Sequence, residues 1–349
     1  GYVEYVRYTR ESLLKANDLF RRALREDSTF LLGYTASVDT YSQLQLRGWG
    51  ERAAYLDSAR SLIARAERIH NAGSSVAFLR SKALMESVEG QKLFEQFGLD
   101  SSIVDTDFSE TERQKRADEL ALVVERFDAA RDLFDSALSI SSSCPVTRNN
   151  RVATLAQLGD LLIRCGEIEK GSQVLVAADS LLRIEISENS FFAPFYVNLG
   201  FLHLAQYEAA EAGAKAQLVS DPMTWLDRAE TALKWAIKLS DTSATAGLST
   251  VGHAYYNLAC VEAKRSQQTS LERAVTLLKR AADYGGFNFC EMIGRDPDLE
   301  AVRRVIPIFR HLRRYNGCSG SEIASNGVKS LSTDYDARED AILVATLYR

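Results

Sequence analysis

The sequence predicts an all-α fold built from stacked pairs of antiparallel helices, and three observations lead there. One seven-residue phrase recurs, as LAQLGDL (155–161), YVNLGFL (196–202) and YYNLACV (255–261). It aligns Leu155, Tyr196 and Tyr255, then Leu158, Leu199 and Leu258 three residues on, then Gly159, Gly200 and Ala259 directly after. A large residue followed by leucine and a very small residue is a helix face pressed close against a neighbour, the small residue standing where two backbones approach. A second stripe, small–large–small at i, i+4, i+7, occurs as Ala16-Phe20-Ala23, Ala59-Ile63-Ala66, Ala130-Phe134-Ala137, Gly171-Leu175-Ala178, Ala229-Leu233-Ala236 and Ala274-Leu278-Ala281. Its repetition describes helices docking one stripe against one kind of partner. Finally, only 5 prolines interrupt 349 residues that are 46% hydrophobic, which favours long helices in a folded chain.

The elements follow in chain order. Residues 2–25 hold a first helix and a second-helix stripe, and 30–71 form the next hairpin, with Tyr34 and Tyr41 on its first helix and LRGWGERAA as a loop. A further helix starts at 75–88. The pattern then breaks between 90 and 107, where SSIVDTDFSE reads as a loop. Ser109 with Glu112 makes a capping box ahead of a long charged helix towards Ile140. Three better repeats occupy 145–284, with extra residues around 207–225, broken by Ser220-Asp221-Pro222, and a small insertion at 266–270. The helix after Asp298 is expected to cap the last apolar face. Residues 316–336, rich in Gly, Ser and Asn, read as a linker, and ILVATLYR (342–349) is strand-like. The expected divisions are 1–88, 89–144, 145–315 and 316–349.

The stripes in LAQLGDLLIRCGEIEKGSQVLVAADSLLR (155–183) resemble the tetratricopeptide repeat, whose pattern W-x2-L-G-x2-Y then A-x3-F-x2-A recurs about every 34 residues. Gly159 stands at the close-contact site, Gly166 in the turn, and Leu175 and Ala178 on the second helix; Gly171 replaces the usual alanine. The resemblance implies a right-handed superhelical solenoid with irregular insertions and a capping helix. The opening residues 1–27 are similar to the start of such modules fused to bacterial signalling or regulatory domains. GGFNF (285–289) and RDPDL (295–299) are similar to the wording found where such arrays stop.

Little in the chain points to chemistry. His70, His203, His253 and His311 form no HExxH or metal-spaced pair, and His203 falls where a core aromatic belongs. There is no Walker loop, GxGxxG or GxSxG, and Asp105 and Asp107 lack EF-hand spacing, so no cofactor and no metal are expected. A net charge of −5 excludes a general nucleic-acid binder. The arginine-rich segment 303–315 reads as the solvated face of the cap. The uncharged run 190–207 holds Pro194, Asn198, His203 and Gln206, which argues against a membrane span. Five scattered cysteines without a CxxC pair, and no signal peptide, are expected of free thiols in a reducing, cytoplasmic compartment. Gly1 in place of methionine suits an excised or processed chain.

The family resemblance implies a concave groove lined by the first helix of each hairpin. Carried over, its positions are Thr35 and Asp39, Ala156 and Asp160, Val197 and Phe201, Tyr256 and Cys260, with Arg164 and His253 adjacent. The lysine and asparagine that clamp a C-terminal carboxylate in chaperone-binding members are replaced here by Ala156, Val197 and Tyr256 and by Asp160, Phe201 and Cys260. The expected function is a non-catalytic scaffold that buries a protein or peptide partner against Val197, Phe201 and Tyr256. Asp39, Asp160, Arg164 and His253 would set selectivity. The alternatives are the regulatory half of an enzyme whose catalytic domain lies outside these residues, or a self-association element.

Overall fold

The computed structural model describes residues 1–49, 52–99, 108–214, 221–242, 248–284, 288–305, 310 and 312–313. All regular elements among them are helices. A single turn, α1 (Tyr2–Tyr5), precedes α2 (Arg10–Glu26), so the expected first helix is much shorter than its partner. Five hairpins follow: α3 (Leu31–Leu46) with α4 (Arg52–Ala66), α5 (Val76–Phe97) with α6 (Glu110–Ile140), and α7 (Pro145–Arg164) with α8 (Ile168–Glu188). The last two pair α9 (Ala193–Glu211) with α10 (Met223–Thr242) and α11 (Leu248–Arg265) with α12 (Gln268–Tyr284). Each first helix also packs on the first helix of the next hairpin, in the series α3, α5, α7, α9, α11. This is the connectivity of a stacked helical-hairpin repeat.

Local chemistry sets the helix starts. Thr9 caps α2 and Ser109 caps α6, each in a reciprocal capping box, with Ser12 and Glu112 respectively. Pro145 opens α7 and Pro194 lies in the first turn of α9, where a missing N–H costs nothing. Gly166, at φ +86°, makes the tight turn from α7 into α8.

Hairpin docking rests on the small residues. A Cβ on Gly159 would fall 2.6 Å from Leu175 Cδ2, one on Gly171 2.7 Å from the Gly159 carbonyl oxygen, and one on Gly200 2.5 Å from Leu233 Cδ2. Ala259, with Ala178, Ala236 and Ala281 from the second helices, is wholly buried. Every member of the second stripe is buried except Phe20 and Ala23, because α2 is covered by α3 on one side and only by the short α1 otherwise.

The expected break after Gly90 is absent, since α5 continues to Phe97 and packs along α6. Ala83, Ala130 and Phe134 repeat the hairpin contact, and Gly90 adds a second close approach, its Cβ position 2.7 Å from Phe127 Cε2. The segment reads as irregular because both helices run on beyond the repeat unit. The 266–270 insertion is likewise absorbed, as α11 reaches Arg265 and α12 begins at Gln268.

After α12 come α13 (Phe289–Arg295), a 3-10 turn (Pro297–Leu299) and α14 (Glu300–Arg304). Phe289, Ile293, Leu299 and Val302 are buried in one cluster with Ala259, Val261, Leu278 and Ala281, closing the last apolar face. Arg303 donates to the carbonyl oxygens of Ile293 and Asp296, so this arginine serves the cap itself. The linker and strand expected in 316–349, the Asp105/Asp107 loop and His311 lie outside the described residues.

The two ends of the stack meet. The Asn288 amide donates to the Arg47 carbonyl at 2.8 Å, and its side chain Nδ2 to the Gly48 carbonyl at 3.1 Å. Arg47 Nη1 donates to Ser249 Oγ at 3.0 Å.

Candidate functional site

The first helices carry a charged face that two polar clusters organise. The C-terminal cluster is built on one stripe of α11, where Tyr256, Cys260 and Lys264 follow at intervals of four. The Tyr256 hydroxyl donates to Asp296 Oδ2 at 2.7 Å, and the Cys260 thiol lies 3.9 Å from the same atom. Lys264 Nζ is 3.0 Å from Asp298 Oδ1 and pairs also with Glu208 of α9. Asp160 and Arg164 of α7 face one another at 3.6 Å, with the Arg164 guanidinium 5.1 Å from the Phe94 ring centroid.

Burial pushes the Asp160 carboxyl up to about 7; Arg164 opposes the shift, while Asp298, Glu208 and Asp296 reinforce it. Asp296 is raised to about 6, by burial and then by Asp298, against the hydrogen bond from Tyr256. Burial alone would lower the Lys264 ammonium, but Asp298 and Glu208 together raise it. The three helices and the 3-10 turn thus share one electrostatic environment, in which carboxylates outnumber cations. Cys260, Asp296 and Asp298 bring their ligand atoms within 4.8 Å of one another, as a metal site would. The Lys264 ammonium, however, supplies the positive charge there.

The N-terminal cluster pairs Asp39 of α3 with Arg80 of α5, and Tyr5 and Tyr8 lie near both that pair and Arg47. Arg80 Nη2 lies 3.3 Å from Asp39 Oδ2, and burial raises the Asp39 carboxyl while Arg80 and Ser81 oppose that shift. The Arg47 guanidinium stacks 4.8 Å from the Tyr8 ring centroid, and burial lowers its pKa to about 10. His253 Nδ1 is 2.6 Å from the Ser249 carbonyl oxygen, and burial, with Arg47 beside it, lowers its pKa to about 4. Its imidazole is neutral at pH 7.

The structure therefore brings Asp160, Arg164 and Tyr256 into one cluster, and Asp39 and His253 into the other. Val197 and Phe201 lie half-buried on α9, Val197 against the α10–α12 core and Phe201 against the core of α7 and α8. Tyr256 is only 2% exposed. It is already covered from within, so it does not offer the open aromatic surface expected of it. His203 packs in the core, 3.5 Å from Asp179 and 5.4 Å from the Trp225 ring centroid. Cys144, Cys165 and Cys260 are free thiols, but Cys290 is disulfide-bonded, so the expectation of free thiols fails there.

Sequence reasoning missed Lys264, Glu208, Asp298, Arg47 and Arg80. A signal existed for Lys264, which lies four residues beyond Cys260 on the same helix face. None existed for the others, whose partners come from other hairpins or from the opposite end of the stack. No helix among the described residues is long and apolar enough to cross a membrane.

No protein-family model and no curated protein matches the chain. Among solved structures it is similar to the crystal structure of yeast Tom70, with 13% identity and a TM-score of 0.28. The match covers 87% of this chain and 60% of that one, so the chain spans about three fifths of that structure's length. A likeness at this level leaves the fold to be argued from its own packing.

Proposed function

We propose that this chain is a non-catalytic scaffold that binds a protein or peptide segment along its inner, charged face. One observation carries the reading. The first helices of successive hairpins adjoin one another, which supports reading residues far apart in sequence as parts of one surface. Continuous faces of this kind suit extended or helical segments, which are gripped by side chains at regular intervals. The half-buried Val197 and Phe201 would supply the apolar contact. Asp160 and Arg164 would select charge, and Tyr256 would act from beneath by fixing Asp296.

Affinity capture from native lysate tests this, comparing the wild-type chain with Val197→Lys and with Phe201→Ala. The expected result is at least a tenfold loss of captured polypeptides with helicity retained. Two variants are compared because each side chain also touches a core, Val197 that of α10–α12 and Phe201 that of α7 and α8, and a variant is scored only when its helicity matches wild type. Capture of an unchanged set by both folded variants contradicts the assignment of the inner face.

A further inference from the structure

We infer that Arg47 and Asn288 form a clasp joining the two ends of the helical stack, and that release of this clasp is what opens the inner face to a partner segment. The contact spans the whole repeat array, with Asn288 240 positions after Gly48 and Ser249 202 positions after Arg47. It is built, not incidental. Gly48 takes φ +70°, a conformation that turns the chain sharply after α3 and that side chains disfavour. A Cβ at Gly48 would meet the flexible Glu291 carboxylate and would lie 3.4 Å from Asn288 Cβ, so the two ends are in van der Waals contact there. Asn288 has two roles at once. Its Oδ1 accepts from the Glu291 amide at 3.4 Å, capping α13, while its Nδ2 donates to the Gly48 carbonyl at 3.1 Å. Arg47 is fixed from the other side by stacking on Tyr8 and by its bond to Ser249.

Among the described residues the two ends meet through hydrogen bonds between polar groups, and the apolar clusters of the two ends are separate, whereas each hairpin is held by interlocking apolar packing. Hydrogen bonds of this kind exchange for bonds to water at small net cost, whereas separating a packed hairpin exposes its core. The ends of the stack should therefore part while the hairpins stay folded. In the closed form the charged groups of the inner face pair with one another, Asp39 with Arg80, Asp160 with Arg164, and Lys264 with Glu208 and Asp298. Those charges are thereby satisfied from within while staying partly exposed.

The gating half of this inference rests on the scaffold reading above; the clasp does not. Asn288→Asp separates the two roles of that side chain, because the carboxylate keeps the capping acceptor and loses the donor to Gly48. Arg47→Met removes the bond to Ser249 and is the independent variant. Both are compared with the wild-type full chain by small-angle X-ray scattering, by hydrogen exchange of α13 and by the fluorescence of 1-anilinonaphthalene-8-sulfonate, an apolar-surface probe. The expected result is a larger radius of gyration, at least tenfold faster exchange in α13 and a rise in probe fluorescence, with far-ultraviolet circular dichroism unchanged. Scattering and exchange identical to wild type in folded variants would overturn the clasp. A more open shape with no rise in probe fluorescence would overturn the gating half alone. Capture by the Val197 and Phe201 variants judges the scaffold reading separately.

Discussion

The hairpin-docking faces and the charged face of the first helices, proposed above as the inner face, follow opposite rules within one stack of helices. On the docking faces, contacts are apolar, local and repeated. Leu175, Leu233 and Leu278 each sit wholly buried between small residues, and the same geometry recurs at Phe134 in the longest hairpin. On the inner face the contacts are polar, unique and distant: Asp160 feels carboxylates from α9 and from the turn after α13. The first set makes the fold, because close-packed helices leave no room for an added carbon. The second set makes the surface adjustable, because paired charges and hydrogen bonds can exchange partners at modest cost. Apolar docking and polar pairing are therefore carried by different residues.

The sharpest way to break this division is to fill a docking contact. Gly200→Leu places a branched side chain where Leu233 already sits. It should cost about 3 kcal/mol or more by overpacking, read as a lowered midpoint in urea unfolding. Stability equal to wild type would mean that α9 and α10 do not approach as described.

A smaller effect is expected on the inner face, and it depends on pH. The Asp160 carboxyl titrates near 7 in the folded chain and near 4 when unfolded, so its contribution is fully present below about pH 4 and is lost as pH rises through 7. Asp160→Asn should therefore stabilise the chain by roughly 2 to 4 kcal/mol at pH 8 and by almost nothing at pH 4. Thermal unfolding at the two pH values checks it, and equal effects at both would remove the crowding of carboxylates from the account. The smallest effect is expected in the cap. A Cβ on Gly294 meets nothing within 4 Å, so Gly294→Ala should be neutral or stabilising by at most about 1 kcal/mol in the same assay.

The same contrast explains what could be read from the chain. The docking stripes were legible because each lies within one helix and keeps helical spacing, so Gly159 and Ala178 identify themselves without coordinates. Gly90 was not, since it faces Phe127 across a hairpin whose helices run past the repeat unit, and no motif marks that excess length. For the charged clusters, helical spacing was legible and partnership was not. Tyr256 and Asp160 could be placed on a face, but nothing near either names Asp296 or Glu208. Asp296 and Asp298 stood in a phrase read only as the end of the array. The turn holding Arg47 and Gly48 looked like an ordinary surface loop, because its partner Asn288 comes almost a whole array later.

The central claim is that the polar groups of the inner face are committed to one another across the hairpins. A double-mutant cycle on Tyr256→Phe and Asp296→Asn, followed by urea unfolding, tests it most directly. The account predicts a coupling energy of about 1 kcal/mol or more, as expected for a hydrogen bond to a buried carboxylate. Additive effects within about 0.3 kcal/mol would contradict it.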